Sequence, residues 1–208
     1  MSRMILRIAF VAAFLVVTAG LGLGQTIVGS AHDFSGKSWN NTNEICVVCH
    51  TPHNADATVA DAPLWNHEVS TATYTLYSSG SLDATLGQPD GSSKLCLSCH
   101  DGTVAVDNFG GRTNGNEFVT GDDLIGTDLS NDHPVSFVYD AALASADGGL
   151  FDPTTTNSGL GGTINDDLLI SSKLQCASCH DVHNGSGLNK LLRISNVNSG
   201  LCLTCHDK

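Results

Sequence analysis

Apolar positions along the chain fall into one long run and a scatter of short ones. The long run comes first: residues 8–19 are apolar apart from Thr18, Arg3 and Arg7 precede them, and Gly20, Gly22 and Gly24 follow. A positive start, an apolar stretch and a small-residue exit describe a secretory leader. Residues 1–24 therefore read as a signal peptide, cut after Ala19 or Gly24. The competing reading is an uncleaved membrane anchor. Its 17 residues, 8–24, end in glycines, which is short for the roughly 20 that span a bilayer.

Beyond the leader no helical period is sustained. Phe118 and Val119, Leu124 and Ile125, residues 135–139 and residues 168–170 are short apolar patches that predict short strands or buried contacts. Gly110-Gly111, Gly148-Gly149 and Gly161-Gly162 punctuate the same stretch and predict turns. The acidic pairs Asp122/Asp123 and Asp166/Asp167 lack the loop pattern of a calcium site and read as solvated turns.

Composition sharpens this picture. The 208 residues hold 22 Gly, only 14% charged and 6% aromatic residues, and a net charge of −12. Losing the leader removes two basic residues and no acidic one, so the remainder carries −14. Such a chain has no basic surface for nucleic acid and a thin stock for an apolar core. Core-poor domains rely on disulfides, metals or a cofactor.

The cysteines show which. All eight occur as pairs with two residues between them: Cys46/Cys49, Cys96/Cys99, Cys176/Cys179 and Cys202/Cys205. A histidine follows each pair directly, at His50, His100, His180 and His206. Four disulfides, two Cys₄ zinc sites or redox-active pairs would all use the cysteines, but none accounts for four adjacent histidines. Cys-x-x-Cys-His is the attachment signature of c-type haem. Two thiols one helical turn apart reach the two vinyl groups of one porphyrin, and the adjacent imidazole becomes the proximal iron ligand. The expectation is four covalently attached haems c.

Five histidines remain for the distal positions: His32, His53, His67, His133 and His183. The only methionines, Met1 and Met4, lie in the leader. Bis-His ligation follows at all four irons, with four of the five used, and His in place of Met lowers the reduction potential. The motifs also repeat. CVVCHTPHN at 46–54 matches CASCHDVHN at 176–184, and LCLSCHD at 95–101 matches LCLTCHD at 201–207. This predicts two two-haem units, about 46–100 and 176–206, joined by a turn-rich connection, 101–175, within one domain, 25–208. His53 and His183 stand three residues after a proximal histidine, too close to face it across one iron. Each should reach a neighbouring haem. The fold class expected is a multihaem cytochrome c, mostly irregular, with short helical turns at the haem sites, few short strands, and four stacked haems as the core.

The strings HDFSG, CVVCHTPHN, PLWNH, CLSCHDG, DHPVSF, CASCHDVHN and CLTCHDK together resemble the doubled-CxxCH multihaem cytochromes. The nearest likeness is to the tetrahaem outer-surface cytochromes of metal-reducing bacteria that polymerise into extracellular nanowires. That resemblance implies a continuous haem stack and end-to-end homopolymers in which one axial histidine comes from the adjacent subunit. His32, near the mature N-terminus, is the candidate for that bridging role. It further implies electron transfer rather than catalysis, an extracellular or outer-surface location, and redox proteins or external acceptors as partners. The alternatives are a non-polymerising periplasmic or membrane-anchored tetrahaem carrier feeding a terminal reductase, and a multihaem reductase. A charge of −14 opposes self-assembly, so salt should favour it.

Overall fold

The computed structural model describes residues 27–207. The leader assigned to 1–24 lies outside them. Among the described residues no helix is long and apolar enough to cross a membrane.

Regular structure is sparse. Among the described residues five short helices occur: α1 Gly91–His100, α2 Ala141–Asp147, α3 Ile164–Asp167, α4 Cys176–Cys179 and α5 Gly200–Cys205. Strands β1 (Phe137–Val138) and β2 (Lys173–Leu174) pair antiparallel, Phe137 opposite Leu174 and Val138 opposite Lys173. Three 3₁₀ turns, Gly121–Asp123, Asn189–Leu191 and Val197–Ser199, complete the set. A turn-rich chain with short helices at the Cys-x-x-Cys-His segments agrees with the sequence pattern.

Helix α1 carries the second cysteine pair and is held from two sides. Leu95 packs with Val59 and Trp65, whereas Leu97 packs with Tyr74 and Leu129. At its start, Gly91 takes φ +48°, where a Cβ would lie 3.1 Å from the Gln175 side chain. That close approach ties α1 to α4. The Ser93 amide donates to Gln175 Oε1 at 3.2 Å and the Cys176 amide to Ser93 Oγ at 2.9 Å. The second and third haem motifs are thus bolted together through their helix starts.

The connection 101–175 is rich in turns and holds only short elements, as its sequence predicts. It contributes most of an apolar cluster of Phe137, Tyr139, Ala144, Ile164, Leu168, Leu169 and Leu174. Helix α2 begins where the Asp140 carboxylate accepts from the Leu143 amide and ends at Gly148 in the left-handed region. Helix α3 begins with a Thr163/Asp166 capping box. These caps act on helices too short for hydrophobic periodicity to reveal, so the sequence showed their glycines and aspartates only as turns. Phe118, Leu124 and Ile125 form no strand and are 47%, 43% and 41% exposed. Gly121 and Gly126, both at positive φ, bend the segment around Leu124 and Ile125 back toward His100.

Candidate haem sites

Each Cys-x-x-Cys-His segment winds one helical turn. The amides of His50, His180 and His206 donate to the carbonyls of Cys46, Cys176 and Cys202 at 2.8, 3.0 and 3.0 Å. Residues three apart share a helix face, so this turn sets the two sulfurs of a pair side by side. His100 ends α1, whereas the other three histidines leave the turn. His180 and His206 adopt extended backbone, and His50, His180 and His206 bridge to Trp65, Leu192 and Leu150 respectively.

Backbone carbonyls fix the imidazoles. Nδ1 of His50 lies 2.6 Å from the Pro63 carbonyl, that of His100 2.7 Å from Asp123, and that of His180 2.9 Å from Lys190. A ring that donates from Nδ1 keeps its lone pair on Nε2. Metal-binding histidines commonly show this outer-shell arrangement. His133 Nδ1 meets the Pro134 carbonyl in the same way at 2.9 Å.

The chain brings three histidine pairs together. Ring centroids lie 6.2 Å apart for His50 and His183, 6.0 Å for His32 and His100, and 6.3 Å for His133 and His206. Two imidazoles bound to opposite sides of one metal ion through ~2 Å bonds have centroids about 6 Å apart. These spacings fit an axial pair. In every case one partner follows a cysteine pair and the other comes from far along the chain. His32 lies beside His100 of its own chain, whereas the sequence expectation sends it to a second subunit. Burial and the neighbouring His100 push its pKa down to about 4.

Two histidines stand apart. His67 is 2% exposed, with Nδ1 2.8 Å from the Glu68 carbonyl and Nε2 3.0 Å from the Ala105 carbonyl. Its ring contacts Trp65 edge-on and lies 3.5 Å from Cys99 Sγ, and burial lowers its pKa. The neutral ring donates to one of these two carbonyls, and both of its nitrogens face the backbone beside Cys99. His53 is exposed and its hydrogen bonds with Thr51 use only backbone atoms of the histidine.

None of the cysteines is in a disulfide. Burial pushes Cys49 and Cys205 up to about 11 and Cys99 up to about 12, and raises Cys179. Cys96 donates to Cys176, which raises the first and lowers the second. Among the described residues no cluster of three or more His, Cys, Asp or Glu could hold a metal ion. Beside Cys49, Trp65 has a buried indole N–H with no hydrogen-bond partner among the described residues.

With this geometry in view, comparison with known families is informative. Residues 170–208 match the doubled CXXCH motif. The match covers the third and fourth cysteine pairs and supports a multihaem c-type cytochrome, with covalently bound haem and electron transfer through it. No curated protein matches the chain.

The first and third motifs share more than their letters. The Thr51 amide donates to the Leu64 carbonyl and the Asp181 amide to the Leu191 carbonyl, at 2.9 and 2.7 Å. Cys49 and Cys179 carbonyls accept from Asn66 and Arg193, at 3.0 and 2.9 Å. Leu64 and Leu191 take φ +54° and +56°, and Asn54 and Asn184 take +56° and +59°. Residues 63–66 and 190–193 are therefore equivalent cradles for His50 and His180, although PLWN and KLLR share one letter. Sequence reasoning missed these cradles because carbonyls do the work, and any side chain can supply a carbonyl.

Proposed function

We propose that the chain is a low-potential electron-transfer protein carrying four c-type haems, each between two imidazoles. We further assign it as the repeating subunit of an extracellular filament that conducts electrons to external acceptors. Bound haem iron supplies one-electron oxidation and reduction. The eight cysteines hold the porphyrins, and His50, His100, His180 and His206 are the proximal ligands. His183, His32 and His133 are the distal ligands opposite His50, His100 and His206. The observation that carries this reading is the set of three histidine pairs at 6.0–6.3 Å.

His180 and His53 are left over, and each lacks an aromatic partner among the described residues. In a filament, exposed His53 of one copy serves the iron on His180 of the next. This replaces His32 in the bridging role, and His67 is the spare. With every axial position filled, the protein is a carrier rather than a reductase.

Electron microscopy of the exported protein tests the filament. Filaments are expected, and His53→Ala should abolish them while leaving the covalent haem content unchanged. Monodisperse particles across pH and salt would instead support a periplasmic or membrane-anchored carrier.

A further inference from the structure

Three of the four proximal histidines are followed by aspartate: Asp101, Asp181 and Asp207. Their surroundings differ sharply. Asp207 is exposed. The Asp181 carboxylate stays partly exposed and accepts from the amides of His183 and Gly185, closing a local turn. Asp101 is 4% exposed and collects donors from outside its own helix. Ser70 Oγ and Tyr74 OH both donate to Oδ2 at 2.6 Å, and the Thr103 amide and hydroxyl donate to Oδ1 at 2.7 and 2.8 Å.

This placement is costly. Burying an ionised carboxylate costs several kcal/mol before compensation, and Asp101 sits at the C-terminal end of α1, where the helix dipole opposes a negative charge. Tyr74 is itself buried, and its hydroxyl is spent on this one acceptor and Ser70. A structural tie alone could use a neutral side chain. Four donors aimed at one carboxylate hold a fixed negative charge on the residue that follows the ligand His100.

We propose that Asp101 is a positioning and potential-setting residue, whose buried charge holds the haem on Cys96, Cys99 and His100 at a more negative potential than an uncharged residue there would. The proposal rests on the haem reading above. A nearby negative charge stabilises the oxidised, more positive iron, and in a low-dielectric interior little screens it. Asp181 and Asp207, nearer water, exert less of this effect, so the four sites differ in potential despite identical ligand types.

The experiment is a redox titration of the haem-loaded protein, resolved into one-electron steps, with covalent haem counted by intact mass on the same samples. In Asp101→Asn one step should move positive by about tenfold in its equilibrium constant, ~59 mV, while the others hold. In Tyr74→Phe the carboxylate loses a neutralising donor, and the same step should move negative. Four haems with no step moved in Asp101→Asn would overturn the proposal. So would movement of both variants in the same direction, the mark of loosened packing rather than charge. If Asp101→Asn fails to retain haem, the sign in Tyr74→Phe decides alone. A wild-type protein lacking haem on Cys96 and Cys99 would overturn the haem reading instead.

Discussion

His32 makes the fold acid-sensitive in a way that can be isolated. Its ring is half-buried against His100 and Phe34, and burial and the second imidazole both oppose a positive charge, taking its pKa from 6.5 to about 4. The unfolded chain therefore binds the proton more readily than the folded one. Stability from this group is complete above pH 6.5, declines as pH falls, and is gone below about 4. Each tenfold in proton affinity is worth about 1.36 kcal/mol, so the interval from 6.5 to about 4 bounds the loss at about 3 kcal/mol. Solvent screening at a half-buried ring brings the expected value nearer 2 kcal/mol. A metal bound to the ring would oppose protonation further and move the lower limit down. The assay is denaturant unfolding of haem-free wild type and His32→Gln, each above pH 6.5 and near pH 4. The wild type should lose about 2 kcal/mol more than the variant. Parallel pH profiles would refute the reasoning.

The other predictions concern separate parts of the molecule. His183→Ala should leave the haem count intact but open one axial position, seen as a high-spin component and CO binding in the reduced protein. Ile164→Ala, at a side chain with no exposure, should cost about 3 kcal/mol in denaturant unfolding with the haem spectrum unchanged. Arg112→Ala removes the partner 2.9 Å from the buried Asp107 carboxylate and should destabilise by about 1–3 kcal/mol. A net charge of −12 means added salt should promote the proposed assembly. Filaments that dissolve as salt rises would point to attractive charge pairs instead.

How much of this the sequence showed depends on which atoms act. Cys46, Cys49 and His50 function through side chains at fixed spacing, so their role was legible, as was the repeat at Cys176, Cys179 and His180. The set of distal candidates was legible too, but not the pairing. Which ring meets His100 depends on how the chain returns across more than sixty residues, and no local pattern encodes that. His32 lies beside His100 of its own chain, where the sequence suggested a second subunit. His67 looked like a ligand by residue type, yet the Glu68 and Ala105 carbonyls engage its nitrogens. Of the apolar cluster, Phe137, Tyr139, Leu168 and Leu169 fall in patches the sequence marked, whereas Ala144, Ile164 and Leu174 sit in short elements with no period to reveal them. Asp101 read as one letter of a repeated string. Only its burial beneath Ser70, Tyr74 and Thr103 distinguishes it from Asp207.

The central claim, four covalent haems on four Cys-x-x-Cys-His segments, is tested most directly by intact-mass spectrometry of the purified exported protein. A mass equal to the mature chain plus four haems is predicted, with no loss of hydrogen to disulfides. A chain carrying fewer haems, or one whose cysteines are consumed in disulfides or zinc, would contradict it.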